Sequence, residues 1–112
     1  MAETCEHHAA LQPVTVRANG CEECLAMGAL WTELRVCLTC GHVGCCEDSK
    51  HTHALKHFQA TGHPMIASFE RDETWSWCYV HRRYMELTSA LTPRRRSLLA
   101  SLFGRRVQRE SP

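Results

Sequence analysis

No stretch of this 112-residue sequence comes near the ~18 consecutive apolar residues of a membrane span, which excludes a helical membrane protein. Met1 to Ala10 has neither a basic start nor an apolar run, so nothing there resembles a secretory signal, and a reducing, cytoplasmic setting is expected. No Ser/His/Asp set and no phosphate-binding loop stands out, so the common hydrolytic and nucleotide chemistries lack residues to perform them. The basic residues are accompanied by no aromatic interleaving and no known nucleic-acid module, and nucleic acid is not the expected partner. At this length the chain makes one domain, with an apolar core too modest to hold itself together alone.

What is abundant supplies the missing stability. The chain has eight Cys and eight His. Disulfides do not need histidines at matching intervals, and a cytoplasmic thiol stays reduced, so metal is favoured over cross-links. The formal charge of +1 hides an asymmetry. Residues 1 to 81 hold five basic and ten acidic residues, whereas residues 82 to 112 hold eight Arg against Glu86 and Glu110. Body and tail therefore carry opposite signs.

The stretch from Cys37 to His63 organises the rest. It contains Cys37-x-x-Cys40, then Cys45, then His53 and His57 one helical turn apart, then His63. Thiolates on a tight turn and imidazoles on one helical face converge as a tetrahedral Zn²⁺ requires. Around it, Leu11 to Arg17 reads as an edge strand broken by Pro13, and Asn19-Gly20 as a turn leading into the knuckle Cys21-x-x-Cys24. Residues 30 to 38 alternate as a strand, with Leu30, Thr32, Leu34, Val36 and Leu38 on one face and Trp31, Glu33, Arg35 and Cys37 on the other. Ser49 is placed to cap a helix over Lys50 to Thr61, which Gly62 and Pro64 end. Met65 to Phe69 and Trp75 to Val80 form a hairpin, and Tyr84 to Leu91 a short helix.

Twelve residues are candidate metal ligands: Cys5, His7, Cys21, Cys24, Cys37, Cys40, Cys45, His53, His57, His63, Cys78 and His81. Twelve ligands suffice for three tetrahedral sites, hence up to three zinc ions. Cys78-x-x-His81 has the spacing to complete a half-site begun by Cys5 and His7. His8, His42, His51 and Cys46 are left over; His42 and His51 suit outer hydrogen-bonding roles and Cys46 a small buried position. Four ligands per site leave no open coordination position, so a structural role is expected and an enzyme is not. Two alternatives stay open: hydrolytic zinc chemistry if the terminal site lacks a ligand, and a redox or metal-handling role using Cys46 beside Cys45.

In order, C-x-H, two C-x-x-C knuckles, Gly-His-Val-Gly-Cys45, His53-x3-His57, His63-Pro64 and Trp77-Cys78-Tyr79 resemble the UBP-type zinc finger of ubiquitin-specific proteases, and most of all its small stand-alone bacterial members. The resemblance covers about residues 5 to 85. It implies an α+β fold, a twisted antiparallel sheet with one main helix and a shorter C-terminal helix packed on it. It implies three interlocked sites: Cys5, His7, Cys78, His81; Cys21, Cys24, Cys45, His53; and Cys37, Cys40, His57, His63. It also implies a pocket for the free Gly-Gly carboxyl terminus of ubiquitin. Trp77 and Tyr79 match that pocket's last-strand aromatics. Glu47 stands where the family has an arginine, and Arg35 where it has a tryptophan. Arg35 then supplies a guanidinium from the opposite wall, or the acidic rim with Trp75, Trp77 and Tyr79 takes a cationic ligand. The expectation is a non-catalytic module, residues 1–91, that recognises a short peptide or protein terminus.

Residues 92–112 form a basic, amphipathic tail. Leu98, Leu99, Leu102 and Phe103 fall together at helical spacing between arginines, and three readings stay open: a solvated chain end, a segment drawn to nucleic acid or anionic lipid, and a helix whose apolar side docks on the acidic body or on a partner protein.

Overall fold

The structure, a computed structural model, describes residues 5–93. The tail helix expected around Leu98 to Phe103 lies outside them. Among the described residues no helix is long and apolar enough to cross a membrane.

Five short strands make one antiparallel sheet: β1 (Leu34–Cys37), β2 (Val43–Cys45), β3 (Met65–Ser68), β4 (Trp75–Cys78) and β5 (Arg83–Glu86), in the order β2-β1-β3-β4-β5. Among the described residues three α-helices decorate it, α1 (Glu6–Ala9), α2 (Glu22–Met27) and α3 (His53–Thr61), with one 3₁₀ turn at Ser89–Leu91. The fold is α+β, as the pattern implied.

The register assigns every side chain to a face, because residues opposite one another in an antiparallel pair point the same way. Val36 faces Ala67, Ala67 faces Ser76, and Ser76 faces Met85. All four are buried, and with Leu34, Val43 and Met65 they form the core face. Cys21, Cys24, Cys45 and Cys78 belong to the same buried cluster, so core and candidate metal ligands form one body. On the opposite, outer face, Arg35 lies beside Gly44 and Ser68, Ile66 pairs with Trp77, and Trp77 with Tyr84.

Helix α3 packs on the β2 end of this outer face. Gly44 makes that possible: a Cβ there would sit 2.6 Å from the Ala54 backbone nitrogen. Gly44→Ala should therefore push α3 off the sheet and lower stability by about 3 kcal/mol, the upper end for overpacking, because the obstacle is backbone and cannot rotate away. Chemical denaturation of the metal-loaded protein checks this, and an unchanged midpoint would contradict it.

Three local expectations are corrected. The helix expected from Lys50 begins at His53, because the Ser49 hydroxyl accepts the Thr32 N–H at 2.8 Å and is not free to cap. Thr52 takes the cap position with φ 47°, and the His53 N–H donates to Cys45 Sγ at 3.1 Å. The helix start is set by the cysteine instead of a hydroxyl. Leu11 to Arg17 contributes only a bridge residue, Thr15; Gly41, at φ 84°, lies so close to Thr15 that a Cβ would meet its carbonyl oxygen. Tyr84 to Leu91 is not one helix: only Ser89–Leu91 turns, as 3₁₀. Met85 and Leu87 are buried while Tyr84 and Glu86 are exposed, the period-2 alternation of strand β5, which runs into the 3₁₀ turn.

Candidate metal centres and the adjoining pocket

Three clusters of four thiol and imidazole groups gather at the sheet's margins. Cys21, Cys24, Cys45 and His53 form one; Cys37, Cys40, His57 and His63 a second; Cys5, His7, Cys78 and His81 a third. Within each cluster the ligand atoms lie within 4.8 Å of one another.

Their spacing can be tested against the metal. Zn–S bonds of ~2.3 Å and Zn–N bonds of ~2.0–2.1 Å in a tetrahedron imply edges of roughly 3.5–3.8 Å. In the first cluster His53 Nδ1 stands 3.2, 3.4 and 3.5 Å from the sulfurs of Cys21, Cys24 and Cys45, and Cys24 Sγ is 3.9 Å from Cys45 Sγ. In the second, Cys37 Sγ is 3.6 Å from His63 Nδ1 and Cys40 Sγ 3.4 Å from His57 Nε2. In the third, Cys78 Sγ is 3.3 Å from His7 Nδ1 and 3.5 Å from His81 Nδ1. Soft sulfur and borderline nitrogen at these separations fit Zn²⁺.

Each cluster draws on elements far apart in sequence. The first joins the N-terminus of α2 to β2 and the start of α3, and the second joins the end of β1 to α3 and the residue before Pro64. The third ties residues 5 and 7 to the end of β4, so the chain's start is clipped to its last hairpin.

Burial sets the protonation of the ligand groups. It pushes the thiols of Cys21, Cys24, Cys37 and Cys78 up, so they hold protons at neutral pH when no ion opposes it. It pushes His53 down, and His57 down to about 4, so both imidazoles are neutral and able to donate a lone pair.

Around the first two clusters lies a supporting layer. His42, buried, reaches Glu23 Oε2 with Nε2 at 2.7 Å and stacks on His57 at 4.0 Å between centroids. Burial works against the Glu23 carboxylate, yet the His42 hydrogen bond holds it below the usual range. Glu22 Oε2 accepts the Val43 N–H at 3.0 Å, and its other oxygen pairs with Arg17 at 3.1 Å. The two glutamates between Cys21 and Cys24 thus tie α2 to β2 and to the second cluster. His42 has the outer role its position suggested. Cys46 is buried, its sulfur 3.5 Å from the Ser49 hydroxyl, outside all three clusters.

The outer face of the sheet that α3 leaves open is a pocket of about 360 Å³. Arg35, Trp77 and Tyr79, the residues the sequence pointed to, all line it. Arg35 is held in place: it donates to the Leu34 carbonyl at 2.9 Å and to Glu33 at 3.1 Å, and its guanidinium carbon lies 4.7 Å from the centre of the Trp75 ring. Trp77 packs against Tyr84 at 4.6 Å, and Tyr79 stacks on Phe58 of α3 at 4.6 Å. Burial, with Glu47 adding and Arg35 opposing, pushes the Tyr79 hydroxyl well up, so it stays a neutral donor. Arg82, Tyr84 and Ile66 also belong to the lining, and Trp75, expected at the acidic rim with Trp77 and Tyr79, forms the wall beneath Arg35. Arg82 has φ 58° in the turn after β4, a feature no residue pattern announces.

The family model described as "Zn-finger in ubiquitin-hydrolases and other protein" matches residues 21–90 of this chain. The chain belongs to this UBP-type zinc-finger family. Zinc is accordingly its cofactor, and the three clusters can hold up to three ions. Among its relatives, the BRCA1-associated proteins of mouse and human are 37% identical over 73 residues, 62% of this chain and 12% of theirs. Mouse ubiquitin carboxyl-terminal hydrolase 16 is 44% identical over 48 residues, 39% of this chain and 6% of that protein. The chain thus spans about an eighth or less of the length of these relatives. A small protein from Rhodopseudomonas palustris, known from its solution NMR structure, shares 52% identity and a TM-score of 0.76, over 83% of this chain and 91% of its own. For this family member, zinc and fold stand together.

Proposed function

We propose that this chain is a non-catalytic recognition module in which three zinc ions, held by the three Cys/His clusters, fix a pocket that reads the free carboxyl terminus of a peptide or protein. Residues 1–91 form the zinc-finger unit and 92–112 a separate basic tail. The observation that carries the reading is Arg35: a guanidinium clamped by a backbone carbonyl, Glu33 and the Trp75 ring, on the wall of a pocket with Tyr79 as neutral donor. A pre-oriented guanidinium and a phenol are the groups that bind a carboxylate. The pocket volume of about 360 Å³ falls in the lower part of the ~300–1,000 Å³ range of ligand sites. Each cluster offers four ligands, which closes a tetrahedron and leaves no position for an activated water. Relatives named as ubiquitin hydrolases make a ubiquitin-like tail one possible ligand.

The test compares fluorescent peptides of one sequence with a free or an amidated C-terminus, alongside intact ubiquitin. Free termini should bind at least ten-fold more tightly. Equal binding of the two forms would overturn the reading.

Zinc loading should also release protons. Cys21, Cys24, Cys37 and Cys78 are thiols at pH 7 and become thiolates on the ion, whereas His53 and His57, already neutral, give up none. At least four protons per chain should therefore leave at pH 7, so affinity falls as pH falls. Calorimetry in buffers of differing ionisation enthalpy counts them; a count near zero would contradict the ligand assignment.

A further inference from the structure

We infer that the pocket selects C-termini with a basic side chain on the last residue or the one before it, a lysine or arginine end rather than an uncharged diglycine end. This rests on the reading of the pocket as a site for carboxyl termini and names its ligand class.

The argument is the pocket's charge. Its lining holds two guanidiniums, Arg35 and Arg82, and two carboxylates, Glu47 and Asp48. The protein ion pair of Arg35 is with Glu33, outside the lining, and not with Glu47 or Asp48. Glu47 and Asp48 are exposed, and among the described residues no cation pairs with either. A terminus bringing only a carboxylate meets two like charges inside the same cavity as its guanidinium partners, and much of its gain is cancelled. A terminus bringing a carboxylate and a cation together satisfies both pairs.

Position follows from the same geometry. Arg35, Glu47, Asp48 and Tyr79 line one cavity of about 360 Å³, so the guanidinium and the carboxylates share a space only a residue or two of ligand can fill. Groups that close on the protein require groups that close on the ligand. A terminal carboxylate and a side chain one residue away meet that requirement; a basic residue several positions upstream does not. The aromatic walls, Trp75, Trp77 and Tyr84, cover the alkyl stem of such a side chain, and the Trp75 ring face is taken by Arg35. The ligand's cation therefore goes to Glu47 and Asp48.

The experiment uses the zinc-loaded full chain and labelled hexapeptides sharing their first four residues. They end in Ala-Lys, Lys-Ala or Gly-Gly, each as free acid and as amide, and binding is read by anisotropy. The free acids ending in Ala-Lys and Lys-Ala should bind at least ten-fold more tightly than the one ending in Gly-Gly. The double variant Glu47→Gln, Asp48→Asn should erase that preference with zinc content unchanged. If free acids outbind amides but Gly-Gly matches the lysine peptides, this inference falls and the reader stands. If acids and amides bind alike, or no peptide binds up to millimolar concentration, both fall.

Discussion

Cys45→Ser should leave the chain without a cooperative fold. Cys45 is fully buried where β2 meets α3: it lies on β2 opposite Leu34, with its sulfur 3.5 Å from His53 Nδ1. It also accepts the His53 N–H that begins α3, 3.1 Å away. One substitution removes a ligand, the start of the main helix and part of the core. Structural zinc contributes ~10–16 kcal/mol of apparent binding free energy in small finger peptides. The whole stability of a domain is only ~5–15 kcal/mol. Loss of one buried site therefore exceeds what the remaining apolar core can supply. The expected result is a far-UV spectrum without a sigmoidal melt and fewer than three zinc ions per chain. A cooperative melt within a few degrees of the parent would refute it. His81→Ala is the contrast, because His81 is exposed and its cluster clips the chain's start to the β4 end. That variant should melt at a lower temperature yet still cooperatively.

The difference between these two variants also explains what could be read from the residues alone. Ligand chemistry is written locally: C-x-x-C knuckles and His53/His57 at one-turn spacing announce themselves, and all twelve candidates do fall into three clusters. The alternation around Arg35 put Leu34 and Val36 inward and Arg35 outward, and the sheet register agrees. What could not be read was decided by partners distant in sequence. Ser49 looked like a cap until Thr32 claimed its hydroxyl. Tyr84 looked helical until Trp77 and Trp75 offered their rings at 4.6 and 5.1 Å across the sheet. Arg82 carried no signal, because its place in the pocket follows from a turn with positive φ. Glu22 and Glu23 could pass for solvated charges, yet they brace Val43 and His42. Metal-ligand spacing fixes a frame, and the frame then chooses partners that no short window contains.

Arg35→Ala should cost about 10- to 100-fold in affinity for a free C-terminus, since a hydrogen bond to a charged group is worth roughly 1.5–3 kcal/mol. The fold should survive, because Arg35 lies on the outer face and is not among the cluster ligands, and zinc content is the control. Arg35→Lys should recover little. The guanidinium uses its planar fork to span Leu34 and Glu33 while stacking at 4.7 Å on Trp75, and an ammonium is a point charge with neither the fork nor the flat face. The decisive quantity is the ratio of affinities for free and amidated peptides. If Arg35 holds the carboxylate, that ratio falls toward one in Arg35→Ala, and the amide's own affinity barely moves. If the ratio persists in Arg35→Ala and collapses in Arg82→Ala, the anchor is the guanidinium of the β4–β5 turn, and Arg35 serves to brace Trp75. The single mutant alone would report a loss in either case; the pair of ligands separates an anchor from a brace.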